Sequence, residues 1–247
     1  CLAAVLDKAG YNAWREFYVN DAGNQIEKFG CSLEARYLQI FKGDEIEFPE
    51  DGYQGEDIKD LAKEYADLNG DSLVNVSAEV RKKALVDYAL PKNIKKMQAD
   101  MEKYKIFYDK WFFESELHKS GAVKAVVDLL TKKGLTYEKD GAVWYKNKEV
   151  LTQKLLKEGK SQKYIDNLEL KDDVLIRQNG NPTYFTADIA YHKNKFDRGF
   201  TTLIDVWGAD HHGHVMRMKG AMDAIGYDGD KLNVVLMQLV KLVKDGE

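Results

Sequence analysis

Residues 203–214 read Leu203-Ile204-Asp205-Val206-Trp207-Gly208-Ala209-Asp210-His211-His212-Gly213-His214, and they determine the expected fold class. The first five are mostly apolar, which predicts a strand buried on both faces of a parallel sheet. Gly208 then permits a tight turn because it has no Cβ atom. Asp210 is expected to cap a following helix by accepting a hydrogen bond from an unpaired backbone amide.

A helix is predicted directly after this turn. Its apolar residues recur at spacings of three and four and form one stripe, made of Val215, Met218, Met222 and Ile225. Gly226 is expected to end the helix in the left-handed conformation. Open α/β sheets bind nucleotides where a strand, a glycine turn and a helix N-terminus meet, because the helix amides and dipole favour anions there. The sequence therefore predicts an α/β fold with a nucleotide-binding site at this turn.

The composition is typical of a globular protein. The 247 residues are 44% hydrophobic and 32% charged, and the formal net charge is −4, so no general basic field attracts nucleic acid or an acidic membrane. No apolar run approaches a membrane span, and no membrane association is expected. Two cysteines, Cys1 and Cys31, are too few for a disulfide scaffold and favour a reducing, cytoplasmic setting. Both ends of the chain fall inside structural patterns, so we expect a fragment.

The middle of the chain differs from its two ends. Residues 14–19 predict a strand that passes through a polar turn into a helix, whereas residues 43–172 are dominated by charged amphipathic helices. A helix beginning after Ser77 is expected to break at Pro91, and Asp140-Gly141 predicts a hairpin. This mixture indicates an α+β insertion and not another turn of the parallel sheet. Its lysine clusters alternate with acidic residues, which favours solvated faces over an RNA-binding groove.

From Val174 the pattern of the parallel sheet is expected to resume, with a further strand in the apolar run 232–243. Between them, a helix is predicted from Thr183 to Phe196. Tyr184 and Asp188 are four residues apart on it and share one face. A carboxylate beside a phenol could hold a cationic group, although an ordinary surface pair would show the same spacing.

Four segments, in this order along the chain, resemble the arginyl-tRNA synthetases: Tyr18-Val19-Asn20-Asp21-Ala22-Gly23-Asn24-Gln25-Ile26, Phe48-Pro49-Glu50-Asp51-Gly52-Tyr53, Pro182-Thr183-Tyr184-Phe185-Thr186-Ala187-Asp188-Ile189-Ala190-Tyr191-His192 and Trp207-Gly208-Ala209-Asp210-His211-His212-Gly213. The resemblance implies a class I synthetase with a Rossmann-like parallel sheet that an α+β connective insertion interrupts. The nucleotide-binding catalytic domain would then comprise residues 1–33 and 173–247, and residues 34–172 would form the insertion.

The resemblance also implies a reaction. The family activates L-arginine with ATP and Mg²⁺ to arginyl-adenylate, and then transfers the arginyl group to tRNA(Arg). By resemblance, Tyr184 and Asp188 match the positions that bind the substrate guanidinium. Asn20 and Asp21 would also lie in the arginine pocket. A monomer is expected.

The glycine turn matches the ATP side of the same family site. Gly208 would let the adenosine ribose approach, and Asp210 would accept hydrogen bonds from its hydroxyls. His211 lies close to a family position in the substrate pocket, so the resemblance implies that it would contact arginine and ATP. No tightly bound cofactor and no resident metal are expected.

The sequence departs from the family at its two class I signatures. Neither His-Ile-Gly-His nor Lys-Met-Ser-Lys-Ser occurs in these residues, and the second would follow the last residue. Both grip the ATP phosphates and stabilise the charge that develops during adenylate formation. We therefore expect no catalytic residue within the chain, and an inactive isolated fragment.

Two other functional classes are compatible with parts of the sequence. Asp210, His211, His212 and His214 could share a helical face and bind the metal ion of a hydrolase, although no second cluster completes the ligand set. Alternatively, the chain could bind arginine without chemistry, as a sensor would.

Overall fold

The structure is a computed structural model that describes residues 1–238, 240 and 243, without the side chains of Asp44, Asp210 and His212. The chain divides into two compact units, Cys1–Glu116 and Leu117–Glu247. Together they form a mixed α/β fold with both parallel and antiparallel sheets. Among the described residues, no helix combines the length and the apolar character needed to cross a membrane.

The first unit consists of helices beside a two-stranded sheet. In chain order its elements are α1 (Leu2–Lys8), β1 (Glu16–Val19), α2 (Gly23–Lys42), a 3₁₀ turn (Gly43–Glu45), α3 (Glu56–Asn69), α4 (Ala78–Lys103) and β2 (Lys110–Phe113), and α5 (Glu114–Lys119) spans the boundary with the second unit. Strand β1 pairs in parallel with β2, Glu16 opposite Lys110 and Val19 opposite Phe113. The expectation that residues 34–172 add nothing to a parallel sheet is therefore wrong for β2.

Helices α2, α3 and α4 bury the core of this unit. Leu33, Tyr37, Ala62 and Leu85 are almost completely buried within it. The Tyr37 hydroxyl donates to the carbonyl oxygen of Gly70 (2.8 Å), so the ring is buried with its polar atom satisfied.

Helix α4 is continuous through Pro91, and the predicted break there is wrong. Proline removes one backbone hydrogen bond and disfavours a helix interior. However, Leu85 and Ala89 before it and Ile94 after it are all buried. Packing of both halves against the same unit stabilises the helix despite the proline. The start is as predicted, since Ser77 caps the helix by accepting from the backbone N–H of Val80 (3.4 Å).

The second unit contains two small sheets and five further α-helices in its described part. Its elements are α6 (Ala122–Lys132), β3 (Thr136–Lys139), β4 (Ala142–Tyr145), α7 (Asn147–Lys157), α8 (Gln162–Asp166), β5 (Asp173–Ile176), α9 (Tyr184–Asp197), β6 (Leu203–Gly208), a 3₁₀ turn (Ala209–His211), α10 (His212–Ile225), a second 3₁₀ turn (Gly229–Lys231) and β7 (Leu232–Met237), with the last turn of α5 at its start. The predicted hairpin is confirmed as β3–β4, with positive φ at Asp140 (53°) and Gly141 (72°).

Strand β5 belongs to the antiparallel sheet, because Val143 of β4 pairs with Ile176. The prediction that the parallel sheet resumes at Val174 is therefore wrong for this strand, because period-2 patterning does not distinguish parallel from antiparallel pairing. The parallel pairing lies further on, where β6 runs beside β7 with Leu203 opposite Leu232 and Gly208 opposite Met237. In the predicted strand 232–243, positions 239, 241 and 242 lie outside the described residues. The proposed division of the chain at residues 33 and 172 stays a prediction.

Strand β6 is buried on one face only, which corrects the expectation of two buried faces. Leu203 and Asp205 are buried, whereas Ile204 and Val206 are exposed. Within the described residues, β6 has β7 as its one neighbouring strand, and α9 contacts the face that carries Asp205.

Helix α10 starts at His212, with His211 and not Asp210 at the N-cap position. The 3₁₀ turn between β6 and the helix displaces the start beyond the predicted cap. Met218, Met222 and Ile225 of the predicted stripe are buried. The predicted left-handed end is confirmed, because Gly226 has a φ of 104°.

Candidate substrate-binding site

Helix α9 carries the two residues expected to hold a cation. Its first turn is tied to β5, since the Oγ1 atoms of Thr183 and Thr186 donate to the carbonyl oxygens of Val174 and Leu175, each at 2.7 Å. Tyr184 is 43% exposed and the Asp188 side chain is 34% exposed. A phenol and a carboxylate, four residues apart on an anchored helix, are therefore both accessible to a ligand.

The Asp188 carboxylate belongs to a chain of polar contacts within the second unit. Its Oδ2 lies 3.0 Å from Nε2 of His214. Nδ1 of His214 lies 2.8 Å from Nη2 of Arg217, and Nη1 of Arg217 donates to Oδ1 of Asp173 at 2.5 Å. Burial raises the pKa of Asp173 above its ordinary value, although the Arg217 guanidinium acts in the opposite direction. The contacts thus link β5, α9 and α10 around one accessible carboxylate.

Aromatic rings fix the position of the His214 imidazole. The centroid of the Phe185 ring lies 5.6 Å from it and that of Trp207 lies 5.3 Å from it. The His211 ring lies 6.4 Å away, at the turn that follows β6. His214 therefore connects the carboxylate on α9 with the glycine turn.

A second polar cluster lies behind Asp188. Nε2 of His192 is 2.5 Å from Oδ2 of Asp205, and Nζ of Lys195 is 2.6 Å from Oδ1 of the same carboxylate. Nδ1 of His192 lies 2.7 Å from the backbone carbonyl oxygen of Asp188. Since both ring nitrogens face acceptors, this geometry requires a doubly protonated imidazole. Burial alone would raise the pKa of Asp205, but His192 and Lys195 outweigh it and hold that pKa well below its ordinary range.

Comparison with known proteins shows which family the chain resembles. No protein-family profile matches the chain. Over its whole length, however, the chain is 55% identical to the arginine–tRNA ligase of Ruminiclostridium cellulolyticum and 56% identical to that of Caldanaerobacter subterraneus subsp. tengcongensis. The chain is homologous to a segment of arginyl-tRNA synthetases. It spans 41% of the length of each of these two curated relatives.

Solved structures agree with this assignment. A crystal structure from Campylobacter jejuni, assigned as an arginyl-tRNA synthetase, matches with a TM-score of 0.81 and 36% identity over 100% of this chain and 50% of that chain. The arginyl-tRNA synthetase of Thermus thermophilus matches with a TM-score of 0.61 over 96% of this chain and 43% of that chain. At 17% identity, this second match supports the fold alone. The resemblance inferred from the four sequence segments is confirmed.

The residues expected at the arginyl-tRNA synthetase site lie in both units. Tyr184, Asp188, Gly208 and His211 all lie in the second unit, where Gly208 ends β6 and is exposed. Through His214, the structure connects Asp188 with the turn that carries His211. The Asp210 side chain lies outside the described part of the structure.

Asn20 and Asp21 belong to the first unit, where both contact the start of α5. Oδ1 of Asp21 accepts from the backbone N–H of Ser115 (2.8 Å). With its amide nitrogen facing Glu114, Asn20 donates to Oε2 of that residue (3.0 Å) and to the carbonyl oxygen of Ala22 (2.9 Å). These contacts give both residues a structural role, and their place in an arginine pocket stays a prediction.

The metal-site alternative gains no support from His214, whose two ring nitrogens are both engaged by Asp188 and Arg217. Among the described side chains, which leave out Asp210 and His212, no group of three or more His, Cys, Asp or Glu residues could hold a metal ion.

Sequence reasoning missed the contacts around Asp188. Its partner His214 lies 26 residues away on α10, Asp173 lies 44 residues from Arg217, and Asp205 lies 13 residues from His192, so local spacing predicts none of these contacts. One signal was present: an aspartate inside the otherwise apolar strand 203–207 needs a buried partner.

Proposed function

We propose that the protein containing this chain is an arginine–tRNA ligase, which activates L-arginine with ATP to arginyl-adenylate and transfers the arginyl group to tRNA(Arg). Identity of 55% along the whole chain to an arginine–tRNA ligase supports this proposal. The observation that carries it is the accessible Asp188 carboxylate, whose Oδ2 lies 3.0 Å from Nε2 of His214, while the His214 ring lies 5.3 Å from that of Trp207, the residue before the glycine turn.

Asp188 and Tyr184 would recognise the arginine side chain. A guanidinium presents planar, forked donors that match a carboxylate better than the point charge of lysine does. The Tyr184 hydroxyl would add a directional acceptor. A neutral analogue would leave Asp188 without a charged partner, so the pair would also discriminate against uncharged side chains.

The glycine turn would take the adenosine part of ATP. Gly208 lies exposed at the carboxyl end of β6, and the N-terminus of α10 follows within four residues. Open α/β sheets bind nucleotides at this position. We assign Gly208, Asp210 and His211 to ATP, and Asp188, Tyr184, His211, Asn20 and Asp21 to arginine. Mg²⁺ would arrive with the ATP phosphates as part of the substrate.

We infer that the 247 residues alone do not catalyse adenylate formation, because they contain neither class I signature. The chain would supply substrate recognition, while the signature residues of the longer protein would stabilise the charge that develops on the phosphates. A cytoplasmic location and a monomeric state fit this function.

Arginine-dependent ATP–pyrophosphate exchange by the full-length protein tests the proposal. Each of the twenty amino acids is offered with ATP, Mg²⁺ and tRNA(Arg), and exchange is expected with arginine alone. Charging of tRNA(Arg) with labelled arginine tests the second step. Exchange driven by another amino acid, or none with arginine, would refute the assignment.

A further inference from the structure

We propose that His214 is a positioning residue for arginine recognition. The neutral imidazole of His214 orients the Asp188 carboxylate by donating a hydrogen bond to it, and Arg217 keeps this imidazole neutral. This inference rests on the proposed function of Asp188, and it adds to that function a reason why the carboxylate keeps its full charge for the substrate.

The hydrogen bonds determine which nitrogen of His214 carries the proton. A guanidinium can donate but never accept, so Nδ1 of His214, 2.8 Å from Nη2 of Arg217, must be the acceptor. The proton therefore lies on Nε2, which donates to Oδ2 of Asp188 at 3.0 Å. In this arrangement His214 has one proton and no charge.

Arg217 opposes a second proton on His214 in two ways. A proton on Nδ1 would break the hydrogen bond from Arg217, and it would place two cations side by side. Arg217 is itself held by Asp173 on β5. The charged and titratable groups near His214 in the described residues are thus Asp188 on α9, Arg217 on its own helix, Asp173 behind Arg217, and the His211 ring at 6.4 Å.

Neutrality of His214 matters because Asp188 has to bind a cation. A charged partner would compensate the carboxylate before the substrate arrives, and the substrate would then have to displace or share that partner. A neutral donor fixes Oδ2 and leaves the negative charge uncompensated. No other described side chain makes a hydrogen bond or ion pair with the Asp188 carboxylate, so Oδ1 is available to a guanidinium.

The position of the imidazole is also fixed, which a positioning role requires. Its side chain is 12% exposed, the Phe185 ring packs edge-on against it, and the Trp207 ring packs against it at a tilt. A carboxylate held in one orientation loses less conformational freedom when the substrate binds.

Substitutions that change the charge of residue 214 separate this role from simple packing. His214→Gln offers a neutral N–H donor, His214→Ala offers none, and His214→Lys offers a permanent cation. They are compared in the full-length protein by arginine-dependent ATP–pyrophosphate exchange, with KM measured for arginine and for ATP. His118→Gln, at an exposed position on α5 outside the site, is the matched control.

We expect KM for arginine to stay within about threefold of wild type for His214→Gln and to rise about tenfold for His214→Ala, since one hydrogen bond to a charged group is lost. It should rise further for His214→Lys, and KM for ATP should change by less than about threefold in all three. Equal KM values for the Gln and Lys variants, or parallel changes for ATP, would overturn the proposal.

Arg217 supplies a second and independent test. Arg217→Gln should raise KM for arginine in the wild-type background, because His214 can then take a second proton and compensate Asp188. In the His214→Gln background the same substitution should have little effect, since no charge can form at residue 214. Equal effects in both backgrounds would show that Arg217 acts only on the fold and would overturn the inference.

These results also separate the inference from the proposed function. Absence of arginine-dependent exchange in the wild-type protein contradicts the proposed function itself. Normal exchange with unchanged arginine KM in all His214 variants contradicts the role of His214 alone.

Discussion

Replacing Asp205 by asparagine should destabilise the second unit of the chain. The Asp205 carboxylate accepts from His192 at 2.5 Å and from Lys195 at 2.6 Å, and the three side chains are between 3% and 12% exposed. Removing one partner from a buried ion pair costs about 3–5 kcal/mol, because it leaves the other charge uncompensated. The asparagine amide keeps one acceptor oxygen, so we expect the free energy of unfolding of the second unit to fall by about 3 kcal/mol, at the lower end of this range.

Hydrogen–deuterium exchange of the 247-residue chain measures this loss locally. Peptides from α9 and β6 report the opening free energy of the second unit without assuming that both units unfold together. A loss of about 3 kcal/mol corresponds to exchange about a hundredfold faster. Asp128→Asn is the matched control, because Asp128 forms an exposed pair with Lys124 on α6. Its effect should stay below about 1 kcal/mol.

The effect of Asp205 should also depend on pH with a definite sign. The pKa of Asp205 is lower in the folded protein than its ordinary value of 3.8, so the folded state favours the charged carboxylate. The stabilisation that the charged Asp205 carboxylate gives the folded state is complete at pH values above its ordinary pKa of 3.8. This stabilisation is lost as the pH falls towards the lower pKa of the folded protein. The difference in melting temperature between wild type and Asp205→Asn should therefore shrink below about pH 4. A difference that grows on acidification, or exchange as slow as in the control, would refute the reasoning.

Three further predictions concern other parts of the chain. The isolated 247 residues should fold and show no arginine-dependent ATP–pyrophosphate exchange with or without tRNA, and measurable exchange would show the absent signatures to be dispensable. Tyr184→Phe in the full-length protein should weaken arginine use, measured as kcat/KM, by about 1–2 kcal/mol, for one hydrogen bond to a charged group. Pro91→Ala should stabilise the first unit by about 1 kcal/mol in urea unfolding, because alanine suits a helix interior better by up to about 3 kcal/mol; a lower stability would contradict this.

Local chemistry made part of the fold predictable. The hairpin at Asp140-Gly141 needs two residues with positive φ, and this sequence favours them. Gly226 ends α10 for the same reason. The break expected at Pro91 was wrong because burial of Ala89 and Ile94 outweighs the preference of one residue.

Pairing between distant residues was not predictable from the sequence. Strand β5 reads as a half-buried strand, but nothing in its own residues shows that it pairs with β4 and not with β6. The same limit applies to the site. The sequence predicts that Tyr184 and Asp188 share one face because they are four residues apart on one helix, whereas the contact of Asp188 with His214 joins residues 26 apart.

Exchange kinetics of two full-length variants test the central claim most directly, namely that Asp188 and Asp210 lie at the arginine and ATP ends of one site. Asp188→Asn should weaken transition-state binding of arginine by about 2–5 kcal/mol, because a charged partner of the guanidinium is lost. It should leave KM for ATP nearly unchanged, whereas Asp210→Ala should act chiefly on KM for ATP. Unchanged arginine use in Asp188→Asn, or a larger effect of Asp210→Ala on arginine than on ATP, would contradict the account.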